Sequence, residues 1–214
     1  MKSHKYPITD DHIHIDPVNG RGLEAAKDFL HAGGTHLFLV TKPSSSFGVL
    51  PHTGDEFSLV YEKTIAIADQ IRALGITVFV ILGVHPAEMT RLSATIPLSE
   101  TVAIMKRGLD IAASYIGEGK AVALKSGRPH YPVPDEVLSA SNEVLSHALT
   151  LAADLDCAVQ IHAETGPCSD VVGMAEQAGV PPHKVVKHYA TPDTPLTPSL
   201  LATHPDIPHL ARLR

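Results

Sequence analysis

Short runs of β-branched and other apolar residues alternate along the chain with longer stretches in which apolar positions recur every three or four residues. The runs predict strands and the periodic stretches predict helices. Residues 8–15 read as a strand, 22–32 as a helix stopped by Gly33 and Gly34, and 35–41 as a second strand with Leu37, Phe38, Leu39 and Val40 in a row. A long helix over 56–74 ends at Gly75, and an almost wholly apolar strand follows over 76–82. The spacing then predicts a helix over 99–116 with Ser99 as its N-cap, a strand over 120–125 and a helix over 135–155. A fifth strand over 157–161, a short helix over 170–178, a sixth strand opening at 184–186 and a last short helix beginning at 199–203 complete the pattern. The longest stretch without a pattern in the first half is 42–55, rich in Pro, Ser and Gly. It reads either as a lid over a site or as a plain surface loop.

Continuous apolar strands separated by helices predict a parallel sheet covered on both faces. Two α/β architectures fit, a doubly wound open sheet and a TIM-type (β/α) barrel. The glycine fingerprint that cradles a dinucleotide phosphate is absent after the first strand. The length of 214 residues suits a single domain over 1–214. With 44% hydrophobic and 19% charged residues the chain is globular, and with 5% aromatics and no Trp its core is aliphatic. A net charge of -6 excludes an overall basic nucleic-acid binder and leaves room for a local basic site. The longest apolar run, 76–84, has strand length, so no membrane span is expected. Cys157 and Cys168 make no disulfide framework, and no apolar signal region follows the first five residues, so a cytoplasmic location is expected.

Histidine changes the picture, because the chain holds 14 of them. Histidine is the commonest metal ligand and the usual acid-base group near neutral pH. On the first strand, Asp11-His12-Ile13-His14-Ile15-Asp16 puts both imidazoles on one side and both isoleucines on the other. In a barrel the isoleucines would meet the helices and the imidazoles would point inward, close enough to share a metal. His85 follows the third strand in Gly83-Val84-His85-Pro86, and His130 follows the fourth in Gly127-Arg128-Pro129-His130-Tyr131. His162 ends the fifth strand and His188 lies at the end of the sixth. Barrel active sites lie at strand C-termini, and there these six histidines fall.

These motifs, in this order, resemble the metal-dependent amidohydrolase superfamily, and within it the TatD-like hydrolases of the archaeal branch, over about residues 9–190. The resemblance implies a (β/α)8 barrel with one or two divalent metal ions, zinc first and manganese or magnesium as alternatives. His12 and His14 would hold one ion and His162 and His188 the other, while His85 would contact substrate. Family members hydrolyse phosphodiester bonds in DNA, and the wider superfamily cleaves amides, esters and lactones. The implied reaction is attack of metal-bound hydroxide on a phosphoester, in a small phosphorylated substrate or at a nucleic-acid end.

Two features depart from that pattern. Where the family bridges its metals with a Glu at the end of the fourth strand, this chain has Lys125. Either Lys125 is carboxylated and ligates as a carbamate, or the site is mononuclear, or it is dead. A carbamate would favour the amide, ester or lactone reaction. The length also corresponds to about six βα units of eight, an incomplete barrel. The strand-eight Asp that serves the family as base has no counterpart here, so the catalytic base is unknown, and Asp11, Asp16, Glu88 and Glu164 do not match that role. An incomplete sheet would leave an apolar edge for a second copy of the chain to cover, and a truncated relative that only binds metal or a partner is a third reading. Arg128 is read as the anchor for a substrate phosphate or carboxylate, or else as a structural ion pair. His130, Tyr131 and Glu164 are read as further substrate contacts; Glu164 could instead orient a ligand imidazole.

Overall fold

Each apolar run becomes a parallel strand, and each periodic stretch a helix that returns the chain to the start of the next. The computed structural model describes residues 6–164, 168–190 and 200–203. Its strands are β1 (Thr9–Ile13), β2 (His36–Val40), β3 (Thr77–Gly83), β4 (Ala123–Gly127), β5 (Ala158–His162), β6 (Val185–Ala190) and β7 (Leu200–Thr203). The α-helices are α1 (Leu23–His31), α2 (Phe57–Arg72), α3 (Ala87–Leu92), α4 (Leu98–Gly117), α5 (Asp135–Asp154) and α6 (Ser169–Ala178).

The sheet order is β1-β2-β3-β4-β5-β6-β7, and every pairing is parallel. A doubly wound sheet reverses its strand order at a switch point. Here the order never reverses, and the sheet curls into an incomplete TIM-type barrel. The two faces of the wall differ. Leu37, Leu39, Val78, Val80, Leu82, Leu124, Val159 and Ile161 belong to the large core shared with the helices. On the concave face, Val40, Ile81 and Ala123 form a small apolar layer with Phe38 and Ala158. Two residues further along their strands, on the same face, come Lys125 and Gln160, and then His162. An apolar floor therefore carries a polar layer at the strand C-termini.

Several boundaries differ from the sequence expectation. The helix read over 99–116 starts at Leu98 behind Pro97, so Ser99 lies inside its first turn and is not the N-cap. Of the segment read as a last short helix, 199–203, the described residues Leu200–Thr203 form the strand β7. Four residues cannot hold a helix alone, and pairing of Val186 with Leu200 and Lys187 with Leu201 along β6 decides for a strand. The stretch 42–55 is not unstructured: it contains 3-10 turns at Ser44–Phe47 and Gly54–Glu56, the second with a Thr53/Glu56 capping box. Its first turn is fastened by the Ser44 N–H, which donates to Glu88 Oε1 at 2.6 Å, and by Lys63 Nζ, which donates to the Phe47 carbonyl at 2.9 Å. The short helix α3 had no signal of its own beyond Pro86 at its start.

Two glycines close the concave wall at the polar layer. A Cβ on Gly83 would stand 2.0 Å from the Lys125 carbonyl oxygen, and one on Gly127 would stand 1.9 Å from that of His162. Both also have positive φ, 155° and 142°. Only glycine lets β3, β4 and β5 approach this closely where the site residues stand.

Candidate metal centre

His12 lies in β1 and His14 one residue beyond it. Ile13 and Ile15 pack into the helix-facing core, which sends both imidazoles to the concave side. His12 Nδ1 lies 2.6 Å from Gln160 Oε1, and His14 Nδ1 lies 2.9 Å from the Val40 carbonyl oxygen. Gln160 Nε2 donates to the Asp11 carbonyl at 2.7 Å, which fixes the orientation of its amide. Both oxygens facing the histidines can only accept, so both Nδ1 atoms carry a proton. In a neutral ring that leaves Nε2 bare. The two Nε2 atoms face each other at 3.2 Å.

Both rings are neutral near pH 7. Burial, and then the charge of Lys125, pushes His14 down to about 4 and holds His12 far below the ordinary imidazole range. Two bare lone pairs at that distance repel unless a cation stands between them. Two nitrogens bound to one ion at ~2.0–2.1 Å in tetrahedral geometry are about 3.3 Å apart.

The other histidines continue the cluster. His188 stacks on His12 with ring centroids 3.8 Å apart, and its Nε2 lies 2.6 Å from His162 Nδ1. His162 Nε2 in turn lies 2.8 Å from His130 Nδ1. His162 is driven down to about 3, chiefly by burial, and His188 lower still. The ring of His85 is 4.9 Å from that of His162. The Ala87 N–H donates to His85 Nδ1 at 3.2 Å, so neutral His85 carries its proton on Nε2. That makes its Nε2 a donor, unlike the facing Nε2 atoms of the His12–His14 pair.

Lys125 is fully buried, and its Nζ has no hydrogen-bond partner. Burial pushes its ammonium down to about 7. Its charge bears on His12, His14, His85, His162 and His188 alike, which puts it in their midst. A buried nitrogen with no partner among neutral imidazoles is costly to maintain as an ammonium, in keeping with its lowered basicity. Among the described residues no three His, Cys, Asp or Glu side chains close on one point as a finished cage. The donors instead come as a facing pair, an imidazole chain and the lysine, nitrogen donors of the type that suits divalent cations such as zinc.

Arg128 and Glu164 meet each other. The Arg128 guanidinium forms a two-point ion pair with Glu164 and reaches both carboxylate oxygens of Asp170, with a longer bond of 3.3 Å to Asn142 Oδ1. The Arg128 side chain is 6% exposed, while those of Glu164 and Asp170 are 40% and 55% exposed. A cavity of about 490 Å³ opens beside them, lined also by His130, Tyr131, Val133 and Leu138. The Tyr131 hydroxyl shares a hydrogen bond of 2.7 Å with Thr90 Oγ1. Other acidic residues near the mouth are likewise engaged. Asp16 pairs with Lys42 and accepts from the Val18 and Asn19 N–H groups, and buried Glu88 pairs with Arg91. Asp11, adjacent to His12 on the strand, alternates to the opposite side.

A family model described as TatD related DNase matches residues 9–204. The chain belongs to the TatD-related DNase family. It is also 36% identical over 193 residues to an uncharacterized protein of Methanocaldococcus jannaschii, across 86% of this chain and 65% of that protein. It thus spans about two thirds of the length of this curated relative. Among solved structures, a TatD-like protein from Archaeoglobus fulgidus is similar with a TM-score of 0.59 and 20% identity, covering 85% of this chain and 68% of that one. A double mutant of the organophosphorus hydrolase from Deinococcus radiodurans is similar with a TM-score of 0.53 and 12% identity, covering 84% and 56%. At such identities these likenesses show the fold.

For this TatD-related chain, sequence reasoning missed Gln160, Asn142 and Asp170 as partners of the site. Gln160 had a usable signal: it precedes His162 by two positions on one strand and therefore shares its face. Asn142 and Asp170 arrive from α5 and α6, and no local spacing ties them to Arg128.

Proposed function

We propose that this chain carries the metal centre of a metal-dependent hydrolase. The observation that carries the reading is the facing pair of bare Nε2 atoms on His12 and His14, 3.2 Å apart. His12 and His14 would hold one divalent ion and His162 and His188 a second, with Lys125 as the ligand between them. Zinc is the first choice for such an imidazole set, with manganese or magnesium next. Bound there, the ions would supply Lewis acidity and lower the pKa of a coordinated water to about 7.

Lys125 becomes an anionic ligand by carboxylation. The uncharged amine attacks carbon dioxide, an N–C bond forms, a proton leaves, and a carbamate remains. The orphaned Nζ and its lowered basicity support this step. His85 would donate from Nε2 to a substrate oxygen. His130 and Tyr131 would contact the body of the substrate in the adjoining cavity, and Arg128 and Glu164 would contribute the cavity wall they build together.

Family membership favours a phosphoester, in a small phosphorylated substrate or a nucleic-acid end. The cavity favours an uncharged ester or lactone: Arg128 is buried behind two more exposed carboxylates, so the wall presents acid and apolar carbon to whatever enters.

The test is elemental analysis of untagged protein purified without chelator, followed by hydrolysis assays with bis(4-nitrophenyl) phosphate and with a lactone series. About two equivalents of metal and turnover of either class are expected, and the preferred class decides between the two readings. A folded chain that cannot be loaded with metal refutes the proposal.

A further inference from the structure

Gln160 is 3% exposed and stands on the concave face of β5, between an apolar floor and the histidine layer. A leucine would fill such a position without burying an amide. The amide instead reaches across the barrel to β1, which does not neighbour β5 in the sheet, and both of its ends find partners there. The Asp11 carbonyl takes the N–H, so the amide oxygen has one possible direction, toward His12 Nδ1. That oxygen compels His12 to keep its proton on Nδ1 and to present a bare Nε2 toward His14.

We infer that Gln160 is a positioning residue for the metal centre, selecting the His12 tautomer and ring orientation that can bind a cation. The inference rests on the metal-centre reading above and adds a residue that touches neither ion nor substrate. Partners that fix a ligand imidazole in this way are typically worth 10–100-fold in metal affinity. A mere strut between β5 and β1 would act differently. It would need the N–H bond to Asp11 as much as the oxygen, and its loss would lower stability without selecting a tautomer.

Two substitutions separate these roles. Gln160→Met removes both bonds. Gln160→Glu keeps an acceptor for His12 Nδ1–H and gives up the donor to Asp11. The unmodified 214-residue chain and both variants are titrated with cobalt(II), following the visible spectrum and the affinity of the first equivalent, with thermal melting beside each titration. The His12 tautomer is read before metal addition by nitrogen-15 NMR of the imidazoles. The expected result is an Nδ1–H tautomer in the wild type and in Gln160→Glu, with cobalt affinity within a few-fold of each other. Gln160→Met should lose the tautomer preference and weaken the first equivalent by about 10–100-fold. Cobalt affinity in Gln160→Met within twofold of wild type overturns the inference. So does a wild-type His12 protonated on Nε2, a result readable even if Gln160→Met fails to fold. A wild type that shows the Nδ1–H tautomer and binds no metal refutes the metal-centre reading, and the inference falls with it; metal binding with an indifferent Gln160 refutes the inference alone.

Discussion

At the scale of single residues, the site is a contest between burial and charge that neutral nitrogen wins. Five imidazoles and one amine cluster at the strand C-termini, and burial is the first cause of lowered basicity in each. Carboxylation of Lys125 would supply the anion this set lacks. A carbamate carbon signal should appear on Lys125 when the metal-loaded protein is equilibrated with carbon-13 bicarbonate, and should vanish in Lys125→Ala. That variant should hold no more than one metal equivalent, with partial recovery on adding a short carboxylate such as acetate. His14→Ala removes one half of the facing pair and should lower affinity for the first ion by at least 10-fold, measured by competition with a chromophoric chelator.

At the scale of elements, strands deliver the ligands and two glycines set how closely the strands meet. Gly127→Ala would drive a methyl group into the His162 carbonyl, which also accepts the Arg128 N–H at 2.8 Å. A loss of about 3–5 kcal/mol in urea unfolding is expected, with metal uptake impaired. The turn at Ser44–Phe47 depends on α3 through Glu88, so Glu88→Gln should cost about 1.5–3 kcal/mol in the same assay and raise protease sensitivity in 42–55. The strands and most helices were legible in the sequence because apolar runs and helical spacing are local properties. So was the inward direction of His12 and His14, since alternation along a strand needs no tertiary information. The pairing of Arg128 with Asp170 was not legible, because it joins a strand end to a helix 42 positions away. The strand at Leu200–Thr203 was misread for the same reason: its partner, not its composition, decides its conformation.

At the scale of the whole molecule, the buried neutral histidines tie stability to pH. Folding lowers His14 from 6.5 to about 4 and His162 from 6.5 to about 3. The unfolded chain therefore binds more protons below pH 6.5, and the metal-free fold should lose stability as pH falls from 6.5 toward 4. Thermal melting across that range checks the sign. Added zinc should raise the melting temperature at pH 7 by an amount that grows with its concentration, corresponding to about 2.7 kcal/mol at 100-fold excess over Kd, and chelator should reverse it. The contact between His12 and Gln160 spans 148 positions of sequence. Closing so long a loop is slow relative to forming any one βα unit, so the first and fifth strands meet late in the folding reaction. The proposed capture of a cation would then become possible only when most of the wall has assembled. An ion present from the start of refolding should leave the folding rate unchanged and slow only the return journey, unfolding.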